Sequence, residues 1–406
     1  MSVHHEAGGT PVVDEQERWA RAAWSALAEP GDVVAGALLA QLGAVQAWQW
    51  VVDSAAGLVD VPARAAPTGD APARLVRAVE RWAPRMTRLA AEGWSVHRPP
   101  PNGVSHVRVL VPGDREWPAG LDDLGAAAPA CLWLRGDPAA ARWPSTGRAR
   151  TAALVGARAA TAYGERVAID LAAGLVDAGF VVVSGGAYGV DAAAHRGALA
   201  SGGRTLVVVA GGVDRAYPAG NVRLIEEAVA SGGAVVGEVP PGSLPTRSRF
   251  LQRNRLIAAL GAATVVVEAA WRSGALSTAN HAARLNRPVG AVPGPVTSMA
   301  SAGCHRLLRE GVATCVTDAA EVVELAGALG ADLAPEPRVA ARGLDGVDAL
   351  GRRVHDALGT RTARPTAEVA RVAGVTTTEA IEALGSLELA GLARHEGSGW
   401  RAEGVT

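Results

Sequence analysis

Thr151-Ala-Ala-Leu-Val155 opens a block, running to about residue 317, in which one pattern recurs. An apolar, strand-like run is followed by a turn of glycine and polar residues, then by a helix-like stretch. The later runs are Phe180-Val-Val-Val183, Thr205-Leu-Val-Val-Val209, Ala234-Val-Val236, Thr264-Val-Val-Val267 and Pro288-Val-Gly-Ala-Val292. Their β-branched residues are continuous rather than alternating. That predicts strands buried on both faces, as in a parallel sheet covered by helices. The spacing between runs suits βαβ crossovers, so the expected fold class is α/β. Residues able to do chemistry sit just after the runs, and an open α/β sheet binds ligands at the carboxyl ends of its strands.

Working outward, residues 1–14 read as a loose tail, with His4 and His5 as tail residues rather than ligands. Residues 15–95 are helical in character, broken at Pro30-Gly31 and between Pro67 and Pro72, and they hold Trp19, Trp24, Trp48, Trp50, Trp82 and Trp94. Tryptophan at helical spacing reads as core or packing surface before it reads as a base-stacking site. From 96 the central domain begins with a connector of loop, turn and one further strand, Pro129-Ala-Cys-Leu-Trp-Leu134 leading to Asp137, and it extends to 328. Residues 329–345 are rich in Ala, Gly and Pro and read as a linker. The last segment, 346–402, holds helix-like pieces at Thr366–Val372 and Thr377–Leu389, joined by Ala373-Gly374-Val375. A Gly-rich hairpin with Trp400 follows, giving the pattern of helix-turn-helix plus wing.

The 406 residues leave room for two or three domains and a large core. A net charge of −1 gives no global pull toward nucleic acid, so such binding has to come from a local patch. The chain has no lysine, so all 39 basic residues are arginine, whose planar fork suits phosphate and base stacking. Cys131, Cys304 and Cys315 are too scattered for a disulfide framework or a metal knuckle. With neither a signal peptide nor an apolar run of membrane-spanning length, a cytoplasmic protein without a membrane partner is expected.

The turn after the first run, Gly156-Ala-Arg158-Ala-Ala-Thr161-Ala-Tyr-Gly164, lacks the G-x-G-x-x-G of a dinucleotide binder. The turn after the second is Ser184-Gly185-Gly186-Ala-Tyr188-Gly-Val-Asp191-Ala-Ala-Ala-His195. Adjacent glycines entering a helix let backbone N–H groups approach a phosphate, although a plain tight turn has the same look. Asp191 and His195 share a helix face. They read either as a general-base pair or, preferably, as a helix-start carboxylate with a packed neighbour. Asp214, Asn221 and Glu238 are expected to cap helices and brace loops. The sharpest feature is Thr246-Arg247-Ser-Arg249-Phe250-Leu-Gln-Arg253-Asn254-Arg255, four arginines within nine residues and no acid. Arginines at a helix N-terminus oppose its dipole, which makes sense where an anion such as a phosphate backbone sits. Glu268-Ala-Ala-Trp-Arg-Ser273-Gly274-Ala-Leu-Ser-Thr278 adds a turn of small hydroxyl residues, and Val292-Pro-Gly294 closes the site.

Together these motifs resemble the DNA processing protein A family (DprA, also called Smf). Ser184 to His195 match its SGGARGID-x-x-AH, and Tyr217, Pro218 and Asn221 match its YP-x-x-N. Phe250, Arg253, Asn254, Arg255 and Ile257 match its F-x-x-RNR-x-I, Glu268 to Thr278 its E-A-x-x-x-SG-x-L-x-T, and Val292 to Gly294 its VPG. Five ordered motifs over some 150 residues are more specific than any one of them, and the similarity extends to the flanking domains. The resemblance implies an extended Rossmann-like core with a small helical (SAM-like) N-terminal domain and a C-terminal winged helix. It also implies a homodimer that binds single-stranded DNA and loads RecA in natural transformation. Carried over position by position, the resemblance implies DNA binding by Gly156, Arg158, Ser184, Gly185, Arg253, Asn254 and Arg255, and the reading of the residues adds Gly186, Tyr188, Arg247, Arg249, Phe250, Ser273 and Gly274 to the expected DNA-binding set. Tyr188 replaces the usual arginine of the second turn, Leu251 the usual proline, and Cys304-His305 stand where Thr-Asn is common.

The reading is a non-enzymatic recombination mediator without cofactor or metal. A rival is a nucleotide- or nucleoside-processing enzyme of phosphoribohydrolase type, with Asp191, Glu238 and Glu268 as its carboxylates. The arginine cluster fits a polyanion better than a mononucleotide, which favours the mediator. A ligand-sensing winged-helix regulator is disfavoured by the seven arginines against seven acids between Gly346 and Arg401, where a DNA-reading wing shows a basic excess. That segment is expected to contact protein.

Overall fold

The computed structural model describes residues 13–57, 71–101, 105–141, 150–328, 331–334, 344 and 346–403. The tail and the linker read from the sequence lie outside these residues except for 13–14, 331–334 and 344. The chain divides into two compact units, Met1–Ala334 and Pro335–Thr406.

The first unit begins with helices α1 (Glu15–Leu27), α2 (Val33–Leu42), α3 (Ala44–Ala55) and α4 (Ala71–Ala91). Asp14 and Asp32 cap α1 and α2 by accepting from Gln16 N–H and from Val34 and Ala35 N–H. Their tryptophans are core. Trp24 meets Trp48 and Trp82 edge-on, with centroids 6.2 and 5.4 Å apart, and its indole N–H donates to Ala44 O at 3.1 Å. The cluster continues through Trp94 and Trp133 onto Val207 and Val235 of the sheet, so the helices and the sheet edge share one core.

Nine strands form that sheet among the described residues: β1 (Val107–Leu110), β2 (Leu132–Gly136), β3 (Thr151–Gly156), β4 (Val181–Ser184), β5 (Thr205–Val208), β6 (Ala234–Gly237), β7 (Ala263–Glu268), β8 (Val289–Ala291) and β9 (Thr314–Cys315). Their order is β1-β2-β6-β5-β4-β3-β7-β8-β9, parallel from β6 to β9 and antiparallel at β1 and β2. All six runs read from the sequence are strands. Period-2 alternation shows why they are apolar throughout: Ala152 and Leu154 face one helical layer, Ala153 and Val155 the other. Helices α5 (Ala162–Asp177), α6 (Val190–Ala200) and α11 (Ala319–Ala326) belong to the first layer, α8 (Arg247–Leu260) and α9 (Ala275–Arg284) to the second; α7 (Val222–Ala230) and α10 (Ala302–Arg309) complete the crossovers. Strand order reverses at β3, which pairs with β4 on one side and β7 on the other. An α/β sheet opens a crevice at such a point.

The second unit has α12 (Ala349–Asp356), α13 (Thr366–Ala373), α14 (Thr377–Leu389) and a hairpin of β10 (Ala393–Glu396) and β11 (Gly399–Ala402) around Val354, Val369, Leu384 and Leu387. Gly374 ends α13 in the left-handed region at φ 66°, as the expected turn requires. Thr376 and Glu379 close a capping box on α14. The indole of Trp400 donates to Thr366 Oγ1 at 3.1 Å, tying the hairpin to α13.

Candidate nucleic-acid interface

Turns from separate stretches of the chain meet at the reversal of strand order and enclose a cleft of about 730 Å³. The turn after β3 supplies Gly156 and Arg158, the turn after β4 supplies Ala187 and Asp191, and the turn after β7 supplies Arg272, Ser273 and Gly274. The start of α8 supplies Arg247, Phe250, Arg253 and Asn254. This helix begins where Thr246, extended at φ −121°, accepts from Arg249 N–H through Oγ1 at 3.2 Å. No acid stands in its first turn. Its free N–H groups and Arg247 therefore present only positive charge.

A helix turns ~100° per residue, so arginines at 247, 249, 253 and 255 point in directions up to ~160° apart and cannot all share a face. Arg247 is exposed in the cleft. Arg249 turns to the N-terminal helices, its Nε donating to Glu29 Oε2 at 2.9 Å. Arg253 runs under the floor, where Nη1 donates to the carbonyls of Gly185, at 2.7 Å, and Val208. Its buried Nε–H has no acceptor among the described residues. Burial, seconded by Arg158, lowers the Arg253 pKa to about 10 against the pull of Asp191, so the group stays cationic at neutral pH. Arg255 is buried on Glu238 at 2.6 Å and faces away from the cleft lining.

Phe250 is the aromatic centre. The Arg158 guanidinium lies 4.9 Å from its ring centroid, that of Arg253 5.8 Å, and the Tyr217 ring 5.7 Å. Arg158, Arg247 and Arg272 are exposed and make no ion pair among the described residues. Asp191 is the one acid lining the cleft among these residues, and burial pushes its carboxyl above the ordinary carboxylate range, against the neighbouring Arg253. The cleft is a cationic groove around an aromatic face.

The family model of DNA recombination-mediator protein A matches residues 108–327. A putative DNA processing protein DprA of Mycobacterium tuberculosis is 49% identical over 304 residues, covering 72% of this chain and 76% of that protein. The chain belongs to the DNA recombination-mediator protein A family. Its structure is similar to an X-ray structure of DNA processing protein A from Streptococcus pneumoniae, with a TM-score of 0.56 at 28% identity over 76% of this chain and 97% of that one. A structure of the Helicobacter pylori protein, described for its single-stranded DNA binding mode, is 29% identical with a TM-score of 0.47, covering 53% of this chain and 93% of that one.

Of the residues expected to bind DNA, Gly156, Arg158, Arg247, Phe250, Arg253, Asn254, Ser273 and Gly274 line the cleft. Asn254 Nδ2 donates to Gly274 O at 3.3 Å, joining α8 to the turn after β7. Gly185 lies beneath, where a Cβ would come 2.5 Å from Arg253 Nη1. Ser184, Gly186, Tyr188, Arg249 and Arg255 do not line the cleft. Ser184 Oγ donates to Leu154 O at 2.6 Å, tying β4 to β3. Gly186 sits at φ +67° with its carbonyl accepting from Asn221 Nδ2 at 3.0 Å, the bracing expected of that asparagine. The Tyr188 hydroxyl accepts from Gly220 N–H at 3.3 Å. Sequence reasoning passed over Arg272, although a cation beside the small-residue turn Ser273-Gly274 was a usable signal.

The general-base pairing of Asp191 with His195 does not form. His195 Nδ1 lies 2.7 Å from Thr205 Oγ1, whose own hydrogen goes to Val182 O at 2.8 Å, so Nδ1 is the donor. Burial and Arg253 lower the His195 pKa to about 3, and the ring is neutral. This is the packed neighbour preferred from the sequence. Glu268 accepts from Thr161 N–H and Thr161 Oγ1, each at 2.8 Å, and Glu238 holds Arg255. The three carboxylates do not converge on the cleft.

Proposed function

We propose that this cleft binds single-stranded DNA and that the protein is a non-enzymatic recombination mediator. In this reading a cytoplasmic homodimer protects incoming strands and loads RecA during natural transformation or DNA uptake. The carrying observation is the set of solvent-facing guanidinium groups of Arg158, Arg247 and Arg272 around the Phe250 ring. Unpaired strands want a basic groove with stacking planes and no base-reading code. A half-buried ring inside a cleft is reachable by a splayed base and not by a base stacked in a duplex. Family membership supports the mediator role and, through it, RecA and the second copy as partners. The enzyme reading finds less support, because Glu238 and Glu268 are bound up in structural contacts.

The second unit is proposed as a winged-helix module for protein contact. In such a fold α14 is the helix that would enter the major groove. It carries Glu379, Glu382 and Glu388 and no arginine.

The test is fluorescence anisotropy with labelled oligo-dT and a matching duplex at two salt concentrations. Wild type binds the single strand tighter, with affinity falling as salt rises. The Arg158→Ala/Arg247→Ala/Arg272→Ala variant removes exposed groups that make no ion pair among the described residues, and its log–log salt slope is shallower by about 2 units, roughly 0.7 per lost cation. Equal binding by variant and wild type sinks the assignment to this cleft.

A further inference from the structure

Trp271 lies in the turn between β7 and α9, between Ala270 and Arg272, both of which line the cleft. It is 48% exposed, the only tryptophan so exposed among the described residues. The ring is nevertheless held. The guanidinium of Arg306 on α10 stands over it, 5.1 Å from the centroid. The start of α10 sits flush on the same turn. Gly303 N–H donates to Ala269 O at 2.7 Å, and a Cβ on Gly303 would come equally close to that oxygen. Arg306 itself is mostly covered, and among the described residues its one ion pair is a long one, 3.8 Å to Glu310. Its plane is committed to backing the indole. A large aromatic surface kept in water, braced by a cation and flanked by Arg272, is built to receive a flat partner.

We propose that Trp271, backed by Arg306, is a second base-stacking platform that carries the strand beyond the cleft around Phe250. The proposal rests on the single-strand reading above and adds a residue at a position that the motifs leave unspecified. Every base has a π-face, so the platform takes any nucleobase. It adds affinity only to strands long enough to leave the cleft and reach the ring.

The test compares oligo-dT of about 4 and about 16 nucleotides, and an abasic oligomer of the longer length, on wild type, Trp271→Ala and Trp271→Phe. Trp271→Ala weakens binding of the long oligo-dT by about 5- to 150-fold, one stacked base, and leaves the short oligomer and the abasic strand as in wild type. Its salt slope is unchanged, because no cation is lost, and Trp271→Phe recovers part of the affinity. Trp271→Phe keeps the comparison valid if the alanine variant fails to fold. Long-strand binding equal to wild type in both variants overturns the platform while leaving the cleft assignment intact. Equal loss on the abasic strand overturns it too, as the mark of a structural role. Wild type that binds no single strand at all removes both readings.

Discussion

At the scale of the residue, Arg255 and Glu238 show how one motif divides its work. Both side chains are buried and meet at 2.6 Å. Removing one member of such a pair strands the other charge in a low-dielectric site, which costs far more than the pair itself contributes. Arg255→Ala is expected to destabilise the protein by about 3–5 kcal/mol, measured by urea denaturation. Arg255→Met/Glu238→Leu recovers most of that loss, and equal loss in single and double variants would contradict this account. The arginine cluster was visible in the sequence, but its division was not. Direction around a helix follows the ~100° step. What each arginine meets depends on Glu238, 17 residues away, and Glu29, 220 away. Arg158 and Phe250 were legible as cation and aromatic. Their stacking depends on a meeting of β3 and α8 that no local pattern announces.

At the scale of the element, continuous β-branched runs are a strong signal because both faces of each strand are covered, and every such run is a strand. The short pieces escaped. β1 is a four-residue strand in a stretch read as loop and turn, and β9 has two residues. Helix α12 has eight residues with Gly351 inside, which weakens its helical pattern. The turn after β3 is held to β7 by the Glu268 carboxylate, which satisfies two donors of Thr161. Glu268→Ala is expected to cost roughly 1–3 kcal/mol in thermal or urea unfolding, since two part-buried donors of Thr161 lose a charged acceptor. The same variant tests the enzyme reading: base release from nucleoside monophosphates by wild type that vanishes in Glu268→Ala would return this carboxylate to catalysis.

At the scale of the whole molecule, no helix among the described residues is long and apolar enough to cross a membrane. Stability in the first unit is spread over three hydrophobic clusters, and the buried His195 on α6 gives that unit a pH response. The ordinary histidine value of 6.5 applies to the unfolded chain, and the folded value is about 3. Between these limits the unfolded state binds the extra proton, so stability falls as pH drops. His195→Gln lacks this term. The gap in Tm between wild type and His195→Gln is therefore expected to narrow as pH falls from about 7 to about 4. The opposing contribution of Asp191 is common to both proteins. A gap that widens toward acid would place the proton elsewhere. The cations lining the cleft respond differently. With no lysine in the chain, each of them is a guanidinium, and even the buried Arg253, at about 10, stays charged through the physiological range. Enzymes that acylate amines to silence a positive surface find no amine here. The charge of this cleft is therefore out of reach of lysine acylation, and access to the site, through partners or competing strands, is a route of control that remains open.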